Sequence, residues 1–286
     1  MNNVKLIECP RDAMQGLHEF IPTDVKANYI NQLLKVGYDT IDFGSFVSPK
    51  AIPQLKDTVE VLSKLELDQT NSKLLAIVAN ERGGNEAAQF DEITYLGYPF
   101  SVSETFQQRN TKSSIDGSLI RIEKLREIAE KNNKQMVVYL SMAFGNPYGD
   151  KWDVDIVAKW SEVLHEKFDI NILALSDTIG VSNPQNIKQI FEPLIKEMPN
   201  VEFGAHLHST PETAFEKVKA AYESGCKRFD GAIKGFGGCP MAEDDLTGNM
   251  PTEVMLNYFE MNAIPTGVNS FEFNKSIADA VAVFPI

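Results

Sequence analysis

Residues 4–12 read Val4-Lys5-Leu6-Ile7-Glu8-Cys9-Pro10-Arg11-Asp12. The first six form a strand-like run, and the turn after them, Cys9-Pro10-Arg11-Asp12, holds no glycine. That turn decides between two architectures. A doubly wound open sheet usually carries a Gly-rich turn after its first strand, and this chain has none. Seven further β-rich runs follow: Thr40–Ser45, Leu74–Ala79, Glu92–Gly97, Met136–Met142, Ile172–Ser176, Glu202–His206 and Arg228–Ile233. They are rich in Val, Ile, Leu and Phe and mostly lack strict alternation, as parallel strands buried on both faces do. Eight such runs alternating with helical segments over 286 residues predict an α/β protein, a (β/α)₈ TIM barrel with its active site at the C-terminal ends of the strands.

The helices show their own signals. Thr23 is read as the cap of a helix running to Gly37, with Val25, Tyr29, Leu33 and Val36 on one stripe. Asn183-Pro184 starts another, with Ile187, Ile190, Phe191 and Leu194 facing inward. Thr210-Pro211 starts a third that stops at Gly225. Thr252–Ile286 holds the eighth helix and one extra helix. The expected organisation is a single catalytic barrel over residues 1–286.

Hydrophobic residues make up 43% and charged residues 23% of the chain, enough to bury a full core and keep a charged surface. No apolar run approaches membrane-spanning length. Three cysteines, Cys9, Cys226 and Cys239, together with an N-terminus that lacks a charged-then-apolar signal region, predict reduced thiols and a cytoplasmic location. The net charge of −13 would repel a phosphate-coated polymer, so nucleic acid is not the expected partner.

The strand ends carry the chemistry. Strand one ends in Arg11-Asp12, strand two in Asp42, strand six in Asp177-Thr178, and strand seven in His206-Leu207-His208. After strand eight comes Gly235-Phe236-Gly237-Gly238-Cys239-Pro240. Residues i and i+2 of a strand point the same way, so both imidazoles can reach one point. With Asp12 on a neighbouring strand of a closed barrel, they predict one divalent metal. The plainer alternative is a pair of histidines satisfying local hydrogen bonds. Arg11 reads either as half of a surface ion pair or as a fork of donors for a carbonyl or carboxylate. Asp177 reads equally as the N-cap of a short turn. Cys239 lies in a glycine-rich loop that can serve as a lid, whereas Cys9 and Cys226 read as buried small thiols.

Taken together these motifs resemble the 3-hydroxy-3-methylglutaryl-CoA lyases. The matching stretches are Glu8-Cys9-Pro10-Arg11-Asp12-Ala13-Met14-Gln15, Ser45-Phe46-Val47-Ser48-Pro49-Lys50, Ser176-Asp177-Thr178-Ile179-Gly180-Val181, His206-Leu207-His208, Gly235–Pro240 and Gly248-Asn249-Met250-Pro251-Thr252-Glu253. The resemblance implies Mg²⁺ or Mn²⁺ held by Asp12, His206, His208 and Asn249, with Zn²⁺ a substitute in a crystal. It also implies Arg11 on the thioester carbonyl, Cys239 as a catalytic acid/base, and Asp177 as a further active-site carboxylate. Asp42 stands where the lyases place a glutamate, and Ala13 where they place a glycine. His206 or Asp42 is the expected general base, with a metal-linked water as the alternative. Lys50, Gly237 and Gly238 are the expected contacts to coenzyme A, with His18 and Lys112 as further basic candidates. The implied reaction cleaves 3-hydroxy-3-methylglutaryl-CoA to acetoacetate and acetyl-CoA, in a homodimer. A related aldolase or condensing enzyme acting on another hydroxy acid is the alternative, and a metal-binding barrel without turnover is a third reading.

Overall fold

The computed structural model describes residues 4–238 and 247–284. Eight parallel strands close in sequence order: β1 (Lys5–Glu8), β2 (Thr40–Ser45), β3 (Lys73–Ile77), β4 (Ile93–Ser101), β5 (Gln135–Ser141), β6 (Ile172–Asp177), β7 (Glu202–Leu207) and β8 (Arg228–Gly231). The last pairs back onto β1. This is the (β/α)₈ barrel that the alternation predicts. β2 and β6 are buried at every position, which explains why their sequences do not alternate: helices cover one face and the barrel interior covers the other. The interior is packed, with Leu75, Ile77, Tyr95, Val137, Tyr139, Ile172 and Ala174 in mutual contact. Among the described residues no helix is long and apolar enough to cross a membrane.

Local details correct three expectations. The helix Thr23–Val36 is capped at Pro22, and Thr23 instead donates its hydroxyl to Asp57 Oδ2 at 2.8 Å. Val25 is exposed, while Tyr29, Leu33 and Val36 carry the buried stripe. The third helix spans Ala214–Glu223, because Thr210 spends its backbone N–H on Thr213 Oγ1 in a preceding turn. Asn183 does cap Pro184–Glu197, with a reciprocal bond between Asn186 and the Asn183 backbone. The eighth helix, Thr252–Met261, is followed by Ser270–Val283, which packs on Thr23–Val36.

One irregularity lies beside the strand ends. The β2–β3 register slips between Asp42 and Gly44. A bulge of this kind re-aims a side chain next to a site. Gly44 is needed there, since a Cβ would sit 2.5 Å from Thr58 Cγ2.

Candidate active site

β1 runs directly into a short helix, Pro10–Gln15. Pro10 takes the first helical position, where a missing N–H costs nothing. The turn leaves Arg11 and Asp12 buried at the barrel mouth, both lining its main cavity, with Gln15 on the same side. Arg11 Nε donates to both Asp42 oxygens, at 3.2 and 3.0 Å, and Nη2 donates to Asp42 Oδ2 at 2.5 Å. Nη1 donates to Asp12 Oδ1 and Gln15 Oε1, each at 2.9 Å. A guanidinium has five N–H donors; these bonds leave a single Nη2 N–H without an acceptor among the described residues.

The electrostatics follow from this crowding. Burial works against the Arg11 charge, but Asp42 and then Asp12 outweigh it and hold the guanidinium more firmly protonated than free arginine. Burial also opposes the Asp12 charge, yet Arg11, His206 and His208 keep its carboxyl below the ordinary range. Asp42 is more deeply enclosed, and burial raises it to about 6 against the pull of Arg11.

β7 brings the two histidines to the same cavity. One ligand atom each from Asp12, His206 and His208 falls within 4.8 Å of the others. His206 Nδ1 lies 3.1 Å from Asp230 Oδ2 on β8, which leaves Nε2 for the cavity. Burial lowers the His206 pKa, but the hydrogen bond and charge of Asp230 more than compensate, so it is raised. His208 goes the other way, down to about 4, through burial and its neighbour His206. Its ring is thus neutral at pH 7, and Nδ1 has no partner among the described residues. Asn249 is bridged in antiparallel fashion to His208 and donates Nδ2 to Asp12 Oδ2 at 2.8 Å, so its Oδ1 remains as an acceptor in the same cluster. A carboxylate, two imidazoles and an amide oxygen, all buried, fit a divalent cation.

The glycine loop is held tightly here. Gly237, at φ +93°, sits so close to the Pro10–Gln15 helix that a Cβ would lie 2.7 Å from Ala13 Cα and 2.8 Å from both Asp12 O and Asn249 Nδ2. It thereby seals the loop against Asp12. Gly238 also has positive φ. Cys239 and the acidic pair Asp244-Asp245 lie outside the described residues.

Several expected roles need correction. Asp177 does not line the cavity: its carboxylate accepts from Val181 N and Ser182 N, both at 2.9 Å, and from Lys217 Nζ at 3.0 Å. It organises the loop after β6, the plainer of its two readings. Asp42 is fully buried and accepts from Arg11 Nε and Nη2, a geometry that favours anchoring the arginine over direct contact with a substrate. His206 has one nitrogen on Asp230, and its remaining nitrogen serves either the metal or a proton, not both at once. Lys50 is exposed and outside the cavity wall, as are His18 and Lys112, although Thr111, beside Lys112, does line the cavity. Cys9 and Cys226 are buried, and burial pushes the Cys226 thiol up to about 12.

Sequence reasoning missed Asp230, Gln15 and Tyr139. Asp230 was signalled by a charged residue in the middle of a strand destined for a barrel interior. Gln15 was signalled by its i+4 spacing from Arg11. Tyr139, packed edge-on against His206 at 5.3 Å between ring centroids, carried no signal beyond its place in β5.

The family model described as HMGL-like matches residues 3–281. The chain belongs to the HMGL-like family. Among its relatives, the hydroxymethylglutaryl-CoA lyase YngG of Bacillus subtilis is 35% identical over 91% of this chain and 85% of its own length. The human mitochondrial hydroxymethylglutaryl-CoA lyase is 32% identical over 93% of this chain and 81% of its own. A solved HMG-CoA lyase from Acinetobacter baumannii, in complex with coenzyme A and 3-methylmalate, superposes with a TM-score of 0.90 at 30% identity, over 98% of this chain and 91% of that one. The carboxyl transferase domain of Rhizobium etli pyruvate carboxylase, at 16% identity and a TM-score of 0.75 over 99% of this chain and 48% of that one, shares the fold.

Proposed function

We propose that this HMGL-like protein is a divalent-metal-dependent carbon–carbon lyase that cleaves 3-hydroxy-3-methylglutaryl-CoA to acetoacetate and acetyl-CoA. The observation that carries the reading is the cluster of Asp12, His206 and His208 on one cavity wall, next to an arginine with one donor left to give. Asp12, His206, His208 and Asn249 would hold Mg²⁺ or Mn²⁺. When bound, the metal would supply a Lewis acid that orients a hydroxyl and a carboxylate or carbonyl of the substrate and acidifies the hydroxyl.

The protein's own groups do the rest. Asp42 and Asp12 hold Arg11 so that its uncommitted Nη2 N–H faces the cavity and donates to the thioester oxygen. As the C2–C3 bond breaks, its electrons pass toward that oxygen, which Arg11 stabilises. The hydroxyl oxygen becomes the ketone oxygen of acetoacetate, and its proton goes to a base in the pocket. The α-carbon then takes a proton from the Cys239 thiol. Phe106, Val47 and Ile52 form apolar parts of the cavity wall and help exclude water from the carbanion.

A coupled assay of acetyl-CoA release, with and without Mg²⁺, tests the reading. Chelation should abolish release and Mg²⁺ or Mn²⁺ should restore it; full activity in demetallated protein would refute the metal centre. Cys239→Ala should lower turnover by roughly 10²–10⁴-fold, the range for losing a general acid, whereas Cys226→Ala should leave turnover near wild type. Equal losses would show that Cys239 is not the acid.

A further inference from the structure

Arg228, the first residue of β8, is fully buried inside the barrel, where a charge needs a partner. Its stem lies over β7: a Cβ on Gly204 would meet Arg228 Cδ at 3.0 Å and Cγ at 3.2 Å. Nη1 donates to Glu202 Oε1 at 3.2 Å, at the N-terminal end of β7, and the guanidinium carbon is 5.7 Å from the Tyr95 ring centroid. Nε and Nη2 have no hydrogen-bond partner among the described residues.

The register shows what lies above. Gly204 pairs with Arg228, and His206 pairs with Asp230. Residues i and i+2 share a face of a strand, so Arg228 sits one layer below Asp230, about 6–7 Å along the strand. Asp230 gives Oδ2 to His206 Nδ1 and keeps Oδ1 unpartnered. Two buried groups of opposite charge, each with unspent hydrogen-bonding capacity, are thus stacked beneath a ring of the candidate metal cluster. Burial works against the Arg228 charge, and among the acids that outweigh it Asp230 comes ahead of Glu202. The Glu202 side chain is 31% exposed, so solvent screens its share of the attraction, while Asp230 is shut in the barrel with Arg228 and acts on it at longer range with little screening.

We propose that Arg228 is a positioning residue for the metal centre: its confined charge, one layer below, orients the Asp230 carboxylate that accepts from His206 Nδ1–H, which fixes the ring with the Nε2 lone pair toward Asp12 and His208. Carboxylates behind a ligating histidine orient it and set its tautomer; here a cation stands behind the carboxylate, and Gly204 makes the room for it. The inference rests on the metal-centre reading above.

The test uses the full chain with Mn²⁺ as the probe, its affinity read by electron paramagnetic resonance. Arg228→Met should weaken Mn²⁺ binding about 10-fold, the lower end for loss of an outer partner of a metal ligand. Arg228→Lys, which keeps the charge, should recover most of that loss. In metal-free protein carrying ¹⁵N-histidine, His206 should show the Nδ1–H tautomer in the wild type and a tautomer mixture in Arg228→Met. A merely structural arginine would lower the melting temperature and leave affinity and tautomer unchanged, and that result overturns the proposal. Should Arg228→Met fail to fold, Gly204→Ala displaces the stem without deleting the charge. It should move both readouts in the same direction, and unchanged values again overturn the idea. A wild-type chain that binds no Mn²⁺ overturns the metal-centre reading itself, a failure visible before any variant is made.

Discussion

Two buried acid–cation clusters lie near the carboxyl ends of the strands, and they differ in one respect. At the end of β1, Arg11 is held by Asp12, Asp42 and Gln15 and still has an N–H to give. Behind β6 and β7, Lys217 donates to Asp177 Oδ2 at 3.0 Å, Gly180 O at 3.0 Å and His208 O at 2.7 Å. Those three bonds exhaust an ammonium group. Both cations are almost entirely buried, and both pair with a carboxylate that is 0% exposed. The first is open to the cavity and the second is closed. Burial and charge alone therefore do not tell the two clusters apart; the count of unspent donors does.

The largest effects should come from exchanging the two cations for apolar residues. Arg11→Met should lower turnover by roughly 10²–10³-fold per folded molecule, the cost of one oxyanion donor, on top of the stability lost when Asp42 is left buried without its cation. Lys217→Met likewise leaves Asp177 buried without its cation and should cost about 3–5 kcal/mol of stability, but with no separate effect on turnover. Any loss of turnover in that variant should follow the folded fraction. Melting curves and kcat measured on both proteins settle the matter; if Lys217→Met abolishes turnover while staying fully stable, the closed cluster is part of the chemistry.

A smaller effect is expected within the open cluster. Asp42→Glu adds a methylene at a fully buried position against Arg11 and should push the arginine toward the cavity. A displacement of this order should lower kcat/KM by about 10–10²-fold. Unchanged kinetics would mean that the β2 bulge absorbs the extra length and that Asp42 does not set the arginine's position.

The smallest effect concerns another buried carboxylate, one whose hydrogen bonds among the described residues reach no cation. Glu8 accepts from Ile233 N at 2.8 Å and Thr252 Oγ1 at 2.6 Å, and burial pushes its pKa from 4.5 up to about 8. Because the folded state holds this proton more tightly than the unfolded chain, the contribution to stability is full below about pH 4.5 and is lost as pH rises through about 8. Urea unfolding between pH 5 and 8.5 should show stability falling with pH in the wild type, and a flatter profile in Glu8→Gln. The same slope in both proteins would assign it to other groups.

Much of this molecule was legible in its sequence. Eight apolar runs without alternation specify strands buried on both faces, and their number and spacing leave a closed barrel as the economical arrangement. The His206-Leu207-His208 spacing places two imidazoles on one side of a strand by backbone geometry alone. The strand-end position of Asp12 does the same for its carboxylate, because strand ends converge in a barrel. What sequence could not decide is which charged side chain faces the cavity and which faces away. Asp177 ends β6 and Asp42 lies inside β2, and in sequence either could serve as an active-site carboxylate, yet the structure turns one onto a lysine from the helix Ala214–Glu223, 40 positions away, and clasps the other with Arg11. The partnership of Asp230 with His206 and of Arg228 with the space over Gly204 depends on how β7 registers against β8. The period of a strand follows from its own covalent geometry. The partner of a buried charge depends on which distant donors and acceptors share its low-dielectric surroundings, and only the closed tertiary structure brings those together.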